Sequence, residues 1–495
     1  MAKRLMIQGT MSGVGKSLFT AALCRIFHQE GVRVAPFKSQ NMALNSFVTP
    51  DGLEMGRAQA VQAEACGLEP CVQMNPILLK PTGDRTSQLV VMGKPVANYD
   101  AAGYFAMKSA LWPVVLDAFA DLESRFDLIC VEGAGSSAEI NLKSDDFVNM
   151  GLARRLDIPV LLVGDIERGG VFAQIAGTLA LLEPHERAQV KAYVVNKFRG
   201  DIEILRPGLE QLDRLTGCPA AGVVPWCSAD VDDEDSLSSR LCARTAEALL
   251  DIAVVKLPRI SNFSDFSALS AVEGVGVRYV ERAHELGSPD LIILPGTKNT
   301  SADMEWMRAC GIETSVKGAA ARGVPLIGIC GGYQMLGREI IDEDGVESGK
   351  SVAGMGLLPI STRFYPEKRR TRVRARVLNP EGFFAPLSGA ELEGYEIHCG
   401  VSERGASPLL VLEDGSHDGC CQENVMGCYL HGFFDSAECR RALLNALASK
   451  KGVSLPNPDF DWKSYKESQY DILAQTVRQS LDMDLIRRII DGEGV

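Results

Sequence analysis

Residues 8–17 read Gln8-Gly9-Thr10-Met11-Ser12-Gly13-Val14-Gly15-Lys16-Ser17. The apolar triplet Leu5-Met6-Ile7 precedes them as a buried strand, and Leu18, Phe19, Ala22, Leu23, Ile26 and Phe27 follow at helical spacing. A glycine-rich turn between a strand and a helix start aims backbone N–H groups and the positive end of the helix dipole at an anion. In that setting Lys16 reaches the β- and γ-phosphates of a nucleotide, and the Ser17 hydroxyl sits on Mg²⁺. The usual spacing puts a glycine where this chain has Thr10, and Gly9 lies one place early, so the loop is a variant. The stretch predicts an ATP phosphate site built from Gly9, Thr10, Gly13, Val14, Gly15, Lys16 and Ser17.

Outward from this loop the chain alternates strand and helix. Residues 32–37, 126–131, 158–163 and 190–195 are apolar runs bounded by polar residues or glycine. Strands buried on both faces with helices between them predict a parallel α/β sheet, in which ligands collect at the carboxyl ends of the strands. Polar clusters stand at those ends: Lys38-Ser39-Gln40-Asn41-Met42, Glu132-Gly133-Ala134-Gly135, Asp165-Ile166-Glu167-Arg168, and Asn196-Lys197-Phe198-Arg199. Glu132 is placed to be a second metal ligand beside Ser17, and a carboxylate at a helix start is its alternative role. Asp146 divides between a metal or substrate contact and a helix cap. Asn196 and Lys197 are candidate nucleotide contacts. Arg57, Lys80, Arg85, Arg168, Lys197 and Arg199 are expected to line a cationic pocket for ATP and a carboxylate-bearing substrate.

A chain of 495 residues is too long for one core. With 46% hydrophobic and 23% charged residues it has the composition of a soluble globular protein. A net charge of −13 argues against a general nucleic-acid or anionic-membrane binder. Residues 1–4 lead straight into a strand without a signal peptide, and no apolar run reaches spanning length. The 14 cysteines are scattered and form no Cys-x-x-Cys pair, which predicts free thiols in a reducing cytoplasm rather than disulfides or structural zinc.

The expected division is a P-loop domain over 1–230, a polar acidic linker over 231–250, a second α/β domain over 251–443, and a helical extension over 444–495. In the second domain Gly328-Ile329-Cys330-Gly331-Gly332 has the form of a strained strand-to-helix elbow with cysteine as nucleophile. The helix start favours thiolate over thiol. His431 follows the apolar run Val425–Leu430 and meets a glycine, which suits it to act as base and proton donor, with His398 as its rival.

A cysteine elbow followed about a hundred residues later by Tyr429-Leu430-His431-Gly432 resembles the class I glutamine amidotransferases. Joined to a P-loop domain on its N-terminal side, it resembles the cobyrinate and cobyric acid synthases. The first domain is similar to dethiobiotin synthetase, which shares the loop variant. Residues 36–42, 80–84, 168–172, 196–201, 258–263 and 294–300 resemble the cobyric acid branch in particular. The resemblance implies a ligase of cobalamin biosynthesis that amidates the b, d, e and g carboxylates of adenosylcobyrinic acid a,c-diamide. ATP and Mg²⁺ would form an acyl phosphate, and ammonia would come from glutamine at Cys330 and His431. The substrates would be small molecules, a corrinoid polycarboxylate among them, with no nucleic acid or membrane involved. A synthase that makes the a,c-diamide and a P-loop switch with an inactive amidotransferase module are the alternatives. Met11 stands where partition-type switches carry a signature lysine, which disfavours the latter. Those amidotransferases usually carry a glutamate two residues after the histidine. Phe433 occupies that place, leaving a dyad with Glu396 as an open candidate for a third member.

Overall fold

The computed structural model describes residues 2–82, 86–143, 146–232, 248–347, 349–404, 407–457 and 460–493. Arg85 of the expected cationic pocket and residues 233–247 of the expected linker lie outside them. The chain forms two compact units. One comprises Met1–Ala43, Glu54–Asp232 and Ser464–Val495; the other comprises Leu44–Leu53 and Asp233–Lys463.

In the first unit β1 (Lys3–Gly9) leads through the glycine loop into α1 (Lys16–Gln29). Then come β2 (Val34–Phe37), α2 (Arg57–Ala65), β3 (Leu128–Glu132), β4 (Val160–Asp165), β5 (Val190–Phe198) and β6 (Ala220–Pro225). The strands form one parallel sheet in the order β6-β5-β4-β1-β3-β2. Every residue of β3 and β4 is buried, which is why they read as unbroken apolar runs rather than alternations. Ile7 pairs with Glu132 and Gly9 with Val163, so the glycine loop leaves the sheet between the ends of β3 and β4. A smaller sheet from Gln40–Met42, Ile77–Pro81, Thr86–Val91 and Lys94–Asp100 fills the interval between β2 and β3.

The second unit carries β7 (Leu250–Val255), β8 (Val275–Val280), β9 (Leu291–Leu294), β10 (Leu326–Ile329) and α3 (Gly331–Leu336). A long hairpin follows, β11 (Ile360–Val377) and β12 (Glu391–Arg404), then β13 (Pro408–Leu412), β14 (His417–Gln422) and β15 (Val425–Cys428). The order β8-β7-β9-β10-β15 is parallel, and it continues through antiparallel β14, β13 and β11. Arginines alternate with buried Val373, Ala375 and Val377 along β11, the period-two pattern of a strand with one wet face. Parallel β10 and β15 deliver Cys330 and His431 to the same edge of the sheet.

Three helices close the chain. Leu443, Leu444 and Leu447 of α4 (Ala437–Lys451) pack into the second core. In contrast, α5 (Trp462–Ser480) and α6 (Met483–Asp491) place Tyr470, Leu473, Val477, Leu485, Ile486 and Ile489 in the core built on β1 and α1. The C-terminal segment thus divides between the two units. Lys466 and Tyr470 bond the Glu64 carboxylate of α2 at 3.0 and 2.9 Å. Burial alone would raise the pKa of Glu64, but Arg57 and Lys466 outweigh it and bring it down to about 2. None of the helices among the described residues is long and apolar enough to cross a membrane.

Candidate active sites

The glycine loop owes its shape to positions that admit no side chain. Gly13 and Gly15 have φ of 73° and 95°, and a Cβ on Gly15 would lie 2.5 Å from the Asn196 amide nitrogen. A Cβ on Gly9 would lie 2.7 Å from Val14 Cγ2, so the displaced glycine of the variant is sterically required where it stands. The Asn196 amide donates to Val14 O at 2.8 Å, and Lys197 Nζ donates to Gly13 O at 2.7 Å and to buried Asp165 at 2.8 Å. Thr10 N–H donates to Val163 O at 3.0 Å, tying the loop to β4. Lys16 Nζ donates to Met11 O at 3.1 Å and Gly135 O at 2.9 Å, carbonyls that phosphate oxygens can replace.

Glu132, fully buried at the end of β3, collects four donors. Ser17 Oγ and Lys38 Nζ each lie 2.8 Å from Oε1, while Gln59 and Gln62 of α2 reach Oε2 at 3.2 and 2.6 Å. The adjacent hard oxygens of Ser17 and Glu132 suit Mg²⁺, which takes one or two protein oxygens and completes its shell with phosphate and water. Lys38 is legible in sequence only as part of the polar cluster at a strand end, and Gln59 and Gln62 carry no sequence signal at all. Lys38 ends an apolar strand beside a polar cluster, and the two glutamines share a helix face that only the fold turns toward β3.

The expected cationic pocket divides among several clusters. Arg57 is spent on Asp232 and Glu64, and Lys80 on buried Glu54. Arg199 lies over the Trp226 ring, 4.4 Å from its centre, and 3.6 Å from Glu167. Asp146 gives both oxygens to the N–H groups of Val148, Asn149 and Gly151, each at 2.9 Å, which is the capping role.

In the second unit Cys330 sits at φ 52°, ψ −108°, a strained geometry for a residue with a side chain. The elbow closes because its neighbours are glycines. A Cβ on Gly332 would fall 2.0 Å from Leu294 O, and one on Gly328 would fall 2.7 Å from the Gly332 carbonyl. The Gly331 N–H opens α3 and has no intrahelical acceptor, leaving it available to an oxyanion.

His431 is 1% exposed. Its Nδ1 lies 2.7 Å from Asp265 Oδ2, which fixes the proton there and leaves Nε2 for chemistry. The Cys330 thiol donates to Ile397 O at 3.9 Å, and its sulfur is close enough to the ring to influence the ring's charge. Burial disfavours the charged imidazole, but the Asp265 carboxylate and the Cys330 sulfur outweigh it and raise His431 to about 10. Tyr395 stacks on the ring with centroids 5.1 Å apart. Asn262 Nδ2 approaches Nε2 at 3.4 Å.

The carboxylate on the histidine is therefore Asp265. Glu396 faces Arg369 at 2.6 Å and His398 at 3.8 Å instead. His398 stacks on Tyr429 at 3.7 Å, and its Nδ1 meets Gly400 O at 2.7 Å. Phe433 is buried against Phe434, so the position that usually carries the acid is a packing position here. Asp265 lies 166 residues from His431 in sequence, and no local pattern signals such a partner. All 13 cysteines among the described residues are free thiols. No cluster of three or more His, Cys, Asp or Glu side chains suited to a metal occurs among the described residues.

Two family models match the chain. Residues 5–239 match the CobQ/CobB/MinD/ParA nucleotide binding domain, and residues 251–439 the CobB/CobQ-like glutamine amidotransferase domain. A cobyric acid synthase of Ruminiclostridium cellulolyticum is 53% identical over 505 residues, covering 100% of this chain and 98% of the relative. One from Yersinia enterocolitica is 50% identical over 501 residues, covering 98% of each. One from Moorella thermoacetica is 48% identical over 510 residues, covering 100% of this chain and 98% of the relative.

Proposed function

The chain belongs to the cobyric acid synthase family, and from that premise we propose that it is the ATP- and glutamine-dependent ligase that converts adenosylcobyrinic acid a,c-diamide to adenosylcobyric acid. Four side-chain carboxylates, b, d, e and g, receive amides. The observation that carries this reading is the pairing, in one polypeptide, of a nucleotide loop facing Glu132 with a Cys330–His431–Asp265 constellation.

A carboxylate is not electrophilic. In the first unit its oxygen attacks the γ-phosphorus of ATP, ADP leaves, and an acyl phosphate forms. Lys16 exchanges the Met11 and Gly135 carbonyls for phosphate oxygens and neutralises the charge that develops there. Gly13, Val14 and Gly15 present backbone to the phosphates, with Asn196 and Lys197 bracing the loop from β5. Ser17 and Glu132 would hold Mg²⁺, which supplies charge neutralisation at the transferring group.

Ammonia comes from the second unit. The Cys330 sulfur attacks the side-chain amide carbon of glutamine, and the Gly331 N–H receives the oxyanion. His431 gives its Nε2 proton to the departing nitrogen, and ammonia leaves a thioester behind. Water then adds to the thioester, Nε2 takes its proton, and glutamate is released. Asp265 stays ionised and keeps Nδ1–H in place through both steps. The ammonia displaces phosphate from the acyl phosphate to form the amide. The free thiols suit a reducing cytoplasm. Mass spectrometry after incubation with the corrinoid, ATP–Mg²⁺ and glutamine tests the reading. Four carboxyl-to-amide conversions are expected; two would indicate the a,c-diamide-forming relative, and none would refute the assignment.

A further inference from the structure

The turn Asn262–Asp265 touches both nitrogens of His431, Asp265 at Nδ1 and Asn262 at Nε2, and its own backbone closes through Asp265 N–H to Asn262 O at 3.0 Å. Asn262 holds a left-handed conformation there, with φ 52° and ψ 40°. Such a turn keeps its shape only when its surroundings over-determine it.

That support comes from Leu44–Leu53, a segment whose flanking residues Ala43 and Glu54 belong to the other compact unit. Asn45 Oδ1 accepts the Phe263 N–H at 3.1 Å, and the Ser46 N–H donates to Asn262 Oδ1 at 3.2 Å. The Tyr395 hydroxyl, on the ring that stacks against His431, donates to Ser46 O at 3.4 Å. Phe47 extends the contact, 6.4 Å from the Tyr395 ring and under the Arg372 guanidinium at 5.0 Å. Asn45, Ser46 and Asn262 are 1%, 2% and 3% exposed. The strap thus bonds Asn262 and Phe263, which open the turn that carries Asp265, and the Tyr395 ring that stacks on the imidazole.

We propose that Asn45 and Ser46 are positioning residues of the glutaminase centre. They act through Asn262, Asp265 and Tyr395 to hold His431 Nε2 toward Cys330. This rests on the assignment of Cys330 and His431 above. The second unit's own sequence from 233 to 463 supplies the reacting atoms, and the strap, encoded near the nucleotide loop, supplies their alignment.

The test uses the full chain, with glutamine hydrolysis and ammonium-dependent amidation measured on the same preparations. Asn45→Ala is expected to lower kcat for glutamine about 10- to 100-fold while KM stays within about twofold, because alignment is lost and the glutamine site is not. Asn45→Asp keeps an acceptor for the Phe263 N–H and is expected to recover most of the loss. Ammonium-dependent amidation is expected to stay at the parent level in both variants. Parent-level glutamine turnover in Asn45→Ala would overturn the inference, as would an equal loss of ammonium-dependent activity or a failure of Asn45→Asp to recover. His431→Ala separates the two layers of the argument. If it retains glutamine hydrolysis, the assignment of the centre fails and the inference with it; if it is inactive while Asn45→Ala is unaffected, the inference alone fails.

Discussion

The two proposed chemical centres are built in opposite ways. In the proposed nucleotide site most of the candidate groups lie within ten consecutive residues, and the fold adds Glu132, Asn196 and Lys197 from the ends of other strands of the same parallel sheet. Its polar groups satisfy one another: Lys16 rests on carbonyls, and Glu132 pairs with Lys38 and accepts from Ser17, Gln59 and Gln62. In the proposed glutaminase site the side chains of Cys330, His431 and Asp265 come from distant stretches of sequence, and His431 is held by Asp265 and the Tyr395 ring. A site for a large polyanionic substrate can keep its charges paired internally until the substrate displaces them. A site that must pass one proton between sulfur, nitrogen and water depends on alignment set in advance.

The contrast breaks most sharply with Cys330→Ala. It should abolish glutamine-dependent amidation and leave the rate with added ammonium salt intact, whereas Lys16→Ala should stop amidation from either nitrogen source. Equal losses in the two variants, measured with both nitrogen sources, would erase the distinction between the centres.

Asp265→Asn keeps the side-chain shape but disturbs the protonation of the ring, and glutamine hydrolysis should fall about 10³- to 10⁴-fold in kcat. The same variant carries a pH signature in stability. His431 is raised from 6.5 to about 10, so its bond to Asp265 contributes fully below pH 6.5 and is lost as pH rises through about 10. The difference in unfolding midpoint between parent and variant should be largest near pH 6 and shrink toward pH 10.

Gly332→Ala tests the elbow itself. A methyl 2.0 Å from Leu294 O forces the backbone apart, and a cost of about 2–4 kcal/mol in denaturant unfolding is expected with loss of glutaminase activity. Glu132→Gln should have the smallest effect, about a tenfold rise in the Mg²⁺ concentration needed for half-maximal rate, read by titration with ammonium as nitrogen source. An unchanged requirement would remove Glu132 from the metal site.

Legibility in the sequence follows the same contrast. The sheet of the first unit could be read because its strands are buried on both faces and announce themselves as apolar runs, each followed by its polar cluster. Cys330 and His431 stand out as candidates because each follows an apolar strand and meets a glycine. Asp265 does not, because its partner is 166 residues away and the position expected to carry an acid holds Phe433. The cationic pocket was misjudged for a related reason. Arg57 and Lys80 stand beside turns as a ligand-binding residue would, yet their carboxylate partners come from distant segments.

The closing helices α5 and α6 bear on how the protein is made. Domains commonly fold in order as they leave the ribosome. Here the core around β1 and α1 lacks Tyr470, Leu473, Ile486 and Ile489 until residues 233–463 have been synthesised. The residues of β1 and α1 must therefore wait, with apolar surface uncovered, while residues 233–463 are synthesised. Chaperone demand during expression should fall on the amino-terminal body.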